Sequence, residues 1–111
     1  MKTAIHVIIL LTLSAVFSFS RADSAEGDAA IGALGEANGI ALACKLTGNV
    51  ARIKAMMIDT VPKTRANGAL FEQATNDAFL SQHQGNACPA EADMGARVDG
   101  LEARLRAHFK P

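Results

Sequence analysis

Two cysteines, Cys44 and Cys88, stand 44 positions apart in a chain of 111 residues, and whether they are joined decides what so short a sequence can fold into. The answer comes from the N-terminus. Lys2 precedes an apolar run from Ala4 to Phe19, which is followed by Ser20-Arg21-Ala22. A charged start, an apolar core and a small-residue end make a secretory signal peptide, with cleavage expected after Ala22. The core is about 15 residues long, shorter than the roughly 20 that a permanent membrane helix needs, so no stable span is expected after processing. Export delivers the cysteines to an oxidising compartment, where an isolated pair has one intramolecular connectivity, so a Cys44–Cys88 disulfide is expected. Closing a loop of about 45 residues is worth roughly 4 kcal/mol in the chain-entropy model.

The sequence thus divides into a removed leader, 1–22, and a single helical domain, 23–111. The tetrapeptide Ala41-Leu42-Ala43-Cys44 faintly resembles a lipoprotein processing box. Its distance from the apolar core, across Asp23, Glu26, Asp28 and Glu36, argues against lipidation. Periplasm is the preferred address, with release outside the cell as the alternative.

No segment shows the alternating β-branched pattern of a strand, and helical spacing recurs throughout, so the expected class is all-α: a small bundle of about four helices stapled by one disulfide. The first helix is expected over Glu26 to Leu46, with Asp23 and Glu26 at capping-box spacing and Gly48-Asn49 as its stop. It carries Gly27, Gly32, Gly35 and Gly39, each of which weakens a helix by about 1 kcal/mol relative to Ala. Such glycines mark either tight helix packing or a frayed end on one reading, or a smooth ligand groove on the other; packing is the preferred reading.

Asn49 is expected to cap a second helix, Val50 to Thr60, closed by Pro62. Thr64 suits a cap for a third helix to about Gln82, with Leu70, Phe71, Ala74, Ala78 and Phe79 on its apolar face. Pro89 leads into a fourth, where Met94, Val98, Leu101, Leu105 and Phe109 recur at steps of three and four. The disulfide then ties the first helix to the fourth around a central pair formed by the second and third.

Composition removes several function classes. Lys2 and Arg21 leave with the leader, so eleven basic residues fall to nine against eleven acidic ones, a balance that gives nucleic acid no concentrated positive surface. Trp and Tyr are absent. His83 and His108 sit in no metal-ligand spacing, no serine occupies a nucleophile elbow, and a paired cysteine is no nucleophile. The carboxylate pairs Glu91 with Asp93 and Asp99 with Glu102 are of the kind that surface helices routinely carry. No catalytic residue, metal site or cofactor is therefore expected. Protonation of the two histidines at about pH 6 offers a route by which mild acid loosens the fold.

One locally unusual stretch remains. Arg52, Lys54, Lys63 and Arg65 bracket the apolar run Met56-Met57-Ile58, and Arg52, Lys54, Met56, Met57, Lys63, Arg65 and Phe71 make the candidate surface for an acidic partner, another exported or envelope protein, or for an anionic membrane surface. The other reading of the stretch is an ordinary solvated helix face. In outline, an exported all-helical chain of this length with one long-range disulfide is similar to acid-activated chaperones of the bacterial periplasm and to small periplasmic immunity proteins that block cell-wall hydrolases. The resemblance is architectural and carries none of their residues across. The expected function is binding another protein, with an acid- or stress-activated chaperone and a small carrier of an apolar ligand as alternatives.

Overall fold

The computed structural model describes residues 25–109, so the expected leader, its expected cleavage point and the expected Asp23 cap lie outside the described residues. Within that range the protein is helical with no strand: α1 (25–43), α2 (Thr47–Thr60), α3 (Arg65–Gln82) and α4 (Glu91–His108). Cys44 and Cys88 are bonded, with Cα atoms 5.6 Å apart. The all-α bundle with one disulfide is therefore what the chain forms.

Cross-helix contacts fix the directions. Glu26 and Glu36 of α1 meet Arg104 and Arg97 of α4, so these two run antiparallel. Gly48 lies beside Glu91 and Arg52 pairs with Asp99 and Glu102, so α2 and α4 run parallel. Gly35 abuts Phe71 and Gly39 abuts Thr75, so α3 runs parallel to α1. The chain goes up, down, up, down.

The central element is α1, not the α2–α3 pair that the sequence suggests. On one side, Ala30, Ile31, Leu34 and Ala37 join Ile53 and Met56 of α2, Val61, and Met94, Val98 and Leu105 of α4 in one buried cluster. On the other side α1 offers Gly35 and Gly39 to α3. A Cβ on Gly35 would stand 2.6 Å from the Phe71 carbonyl oxygen and 2.8 Å from the Ala74 methyl; one on Gly39 would run into the Thr75 carbonyl oxygen and the Ala78 methyl. Glycine is thus required at both places, and the packing reading of these two glycines holds. Thr75 Oγ1 lies 2.8 Å from the Phe71 oxygen and 3.2 Å from that of Gly35, and it accepts from Asn38 Nδ2 at 3.2 Å.

This seam leaves α3 as the least enclosed helix. None of its residues is buried, although Leu70 and Phe71 pack against the cluster, and among the described residues it makes no close backbone approach to α2 or α4. Its ends are held locally. Thr64 Oγ1 accepts from the Asn67 amide at 3.2 Å, as the sequence leads one to expect, and Asn67 Nδ2 donates to the Pro62 carbonyl at 3.0 Å. At the far end Gln82 Nε2 reaches the carbonyls of Asn86 and Ala87 while Asn86 Nδ2 donates to that of Ser81, closing the turn that presents Cys88 to Cys44.

The α1–α2 boundary differs from expectation. α1 stops at 43, and Gly48-Asn49 lies inside the first turn of α2 instead of between the helices. The stop is made by Lys45, whose φ is +58°, with the Leu46 amide bonded to the Ala41 carbonyl at 2.9 Å and the Lys45 amide to that of Leu42 at 3.3 Å. That is a Schellman end, in which the left-handed position normally falls to glycine. Asn49 consequently caps nothing and is buried.

Candidate binding surface

The seven residues singled out from sequence do not form one surface. Met56 is 5% exposed and belongs to the core, while Met57 and Phe71 are half-buried against it. Side by side on α2, the two methionines divide as helical geometry demands, one inward and one at the margin. Arg52 is engaged by Asp99 at 2.5 Å and by Glu102 at 2.9 Å. The hydrogen bond to Glu102, then that to Asp99, raises the guanidinium further above its already high value. In turn Arg52 first, and Arg106 second, hold the Glu102 carboxyl below the usual range. Arg52 therefore fastens α2 to α4, and the carboxylate pair Asp99 and Glu102 is its counter-charge.

Lys54, Lys63 and Arg65 stand apart from that network. All three are exposed and have no ion pair among the described residues. The same holds for Lys45. Arg97, Arg104 and Arg106 on α4, together with Arg52, are paired, while the four cations without an ion pair among the described residues fall within 45–65, a stretch that also holds the exposed Asp59. The 61–64 connection holds Lys63 and Arg65 in place, because Val61 is anchored in the core and Asn67 and Thr64 tie down the backbone. Ile58, 59% exposed, is the large apolar side chain on this side of α2 that faces water.

Next to it is a groove of about 340 Å³ between the end of α1 and the start of α2, lined by Ala41, Leu42, Val50 and Ala51 together with Lys45 and Lys54. Leu42 is 39% exposed there. Sequence reasoning missed Leu42 and Lys45 because it carried the first helix through Leu46; the only signal available was an apolar residue and a cation flanking Cys44.

Two other depressions carry charged side chains at their rims, of negative sign in one and of both signs in the other. A wider one of about 510 Å³ between α1 and α3 is lined by Gly32, Ile40, Ala74 and Ala78 with Glu36 and Asp77, but Glu36 is engaged by Arg97. A smaller one of about 250 Å³ at the far end of α1 contains the Glu26–Arg104 pair and His108. His108 lies over Gly27 and edge-on to Phe109, and His83 edge-on to Phe79. Glu91 and Asp93 sit in the first turn of α4, where carboxylates offset the positive helix end. Among the described residues no group of three or more His, Cys, Asp or Glu could hold a metal ion, and no helix is long and apolar enough to cross a membrane.

No family model, curated protein or solved structure matches this sequence.

Proposed function

We propose that the chain is a small exported helical protein, of the periplasm by preference, that acts by binding another protein and carries no catalysis of its own. The observation that supports this reading is the division among its basic residues. Arg52, Arg97, Arg104 and Arg106 are paired with carboxylates of the same fold. Lys45, Lys54, Lys63 and Arg65 are instead exposed and in no ion pair among the described residues, with Lys45 and Lys54 beside the exposed Leu42 and with the exposed Ile58 between Lys54 and Lys63 in sequence. Cations around apolar side chains suit an acidic partner, with the charges steering the encounter and the apolar groups supplying affinity. The test is capture by the oxidised protein from the exported fraction of its source cell. A stoichiometric partner that is retained by the wild type and lost from a Lys54→Glu, Lys63→Glu, Arg65→Glu variant supports the reading; equal capture by both overturns it.

The chaperone reading draws on a different observation, the weak enclosure of α3. A helix with no buried residue, resting on a seam of small side chains, is the part of the fold that lifts most easily and would bare the apolar face of α1. That reading expects many clients, binding that begins on acidification, and indifference to the charge reversals.

A further inference from the structure

We infer that the α1–α2 groove is the recognition pocket of this protein, and that its occupant is a short acidic segment of the partner that inserts one large apolar side chain between Leu42 and Val50 while its flanking carboxylates engage Lys45 and Lys54. The inference deepens the binding reading above and rests on it.

Three features of the groove specify this occupant. The first is size. A volume of about 340 Å³ takes a leucine or phenylalanine side chain with part of its backbone, and is too small to enclose a helix. The second is chemistry. Ala41, Leu42, Val50 and Ala51 give it an apolar lining, and its only charges, Lys45 and Lys54, are both positive and neither is paired within the described residues. An apolar anchor between carboxylates complements both properties, whereas a neutral peptide would leave the lysines idle and a basic one would be repelled. A lysine is a compact charge on a flexible stem, suited to following a partner's carboxylate without a fixed bidentate geometry.

The third feature is Lys45 itself. It occupies the left-handed position that ends α1, at φ +58°. Glycine adopts that conformation without steric penalty, and a residue with a Cβ does not. The chain therefore bears local strain to hold a lysine at the mouth of the groove. Strain of this kind is a pointer to function when an observed outlier coincides with a site argued on other grounds.

The test is photo-crosslinking within the source cell, using the full chain expressed with its own leader and a benzophenone amino acid at position 42 or 51. Position 73, exposed on α3, is the control. The expected result is one partner protein joined at both 42 and 51 and not at 73, through a segment in which an apolar residue is flanked by Asp or Glu. Lys45→Glu with Lys54→Glu is expected to lower that cross-link at least tenfold. Lys45→Gly separates binding from folding: it removes the strain, so the variant is expected to melt higher and yet to cross-link less. Cross-links to lipid, to a second copy of the chain, or to a segment without acidic residues overturn the inference, as does a yield at 42 and 51 no greater than at 73. If the oxidised protein captures a partner that is lost from the Lys54→Glu, Lys63→Glu, Arg65→Glu variant but that does not cross-link at 42 or 51, the groove assignment fails while the binding reading stands. If no partner is captured at all, both fail.

Discussion

Gly39 and Thr75 touch backbone to backbone: the α-carbon of Gly39 lies so near the Thr75 carbonyl oxygen that no side chain fits between them. Gly39→Ala is therefore expected to push α3 away from α1. Overpacking of this kind costs about 1–3 kcal/mol, and the better helix propensity of Ala returns at most about 1. A net loss is expected on urea denaturation. Gly32 and Gly100, on α1 and α4, face open space. At these two sites the propensity term acts alone, so Gly32→Ala and Gly100→Ala are each expected to gain about 0.5–1 kcal/mol. A Gly39→Ala protein as stable as the Gly32→Ala one would refute the seam.

Thr75 is the polar lock on the same seam. Its hydroxyl lies between the Gly35 and Phe71 carbonyls and accepts from Asn38, which is 2% exposed. Thr75→Val keeps the shape and strands the Asn38 amide, for which about 1–3 kcal/mol is expected. Adding Asn38→Leu removes the stranded donor. The double variant is expected to recover part of the loss, and strict additivity in the mutant cycle would show that the two side chains do not act together.

These contacts show what could and could not be read from the sequence. α4 was legible because Met94, Val98, Leu101, Leu105 and Phe109 keep a strict helical step, and of these Met94, Val98 and Leu105 are buried. The Thr64 cap was legible because capping is local. The start of α2 was not. Gly48-Asn49 has turn chemistry but lies within the helix, and the true stop, at Lys45, lacks the glycine that would have announced it. Pairing across the fold is equally hidden: nothing near Arg52 in sequence indicates that its counter-charges are Asp99 and Glu102, so the sequence pattern points its cation toward a partner. Leu42, Lys45 and Lys54 become neighbours only once the α1–α2 turn is known.

The Arg52 network predicts a dependence on acid. Glu102 is held below the usual glutamate value of about 4.3, by Arg52 first and Arg106 second. A carboxyl lowered in the folded state contributes stability that is complete above its unfolded pKa and disappears as pH falls through the folded one. The wild type is thus expected to lose stability as pH drops below about 4.3. Glu102→Gln is expected to be less stable than wild type at pH 7 and to show a shallower decline in acid. Urea midpoints for both proteins at several pH values between 7 and 3 decide it. Parallel curves would mean that Glu102 titrates alike in both states, contrary to the hydrogen bonds seen here.

Reduction of the Cys44–Cys88 bond should reveal how unevenly the fold is held. Releasing a loop of about 45 residues removes up to roughly 4 kcal/mol in the chain-entropy model. The loss need not be shared equally. Ile53, Met56, Met94, Val98 and Leu105 are buried in one cluster with α1, whereas α3 depends on the glycine seam and on its tethered ends. Hydrogen exchange of a Cys44→Ser, Cys88→Ser variant is expected to accelerate most in α3 and in the 83–90 turn, with slower exchange persisting around Ile53 and Val98. Uniform acceleration across all four helices would mean that α3 unfolds only with the core, and would remove the structural basis for a chaperone that works by lifting it.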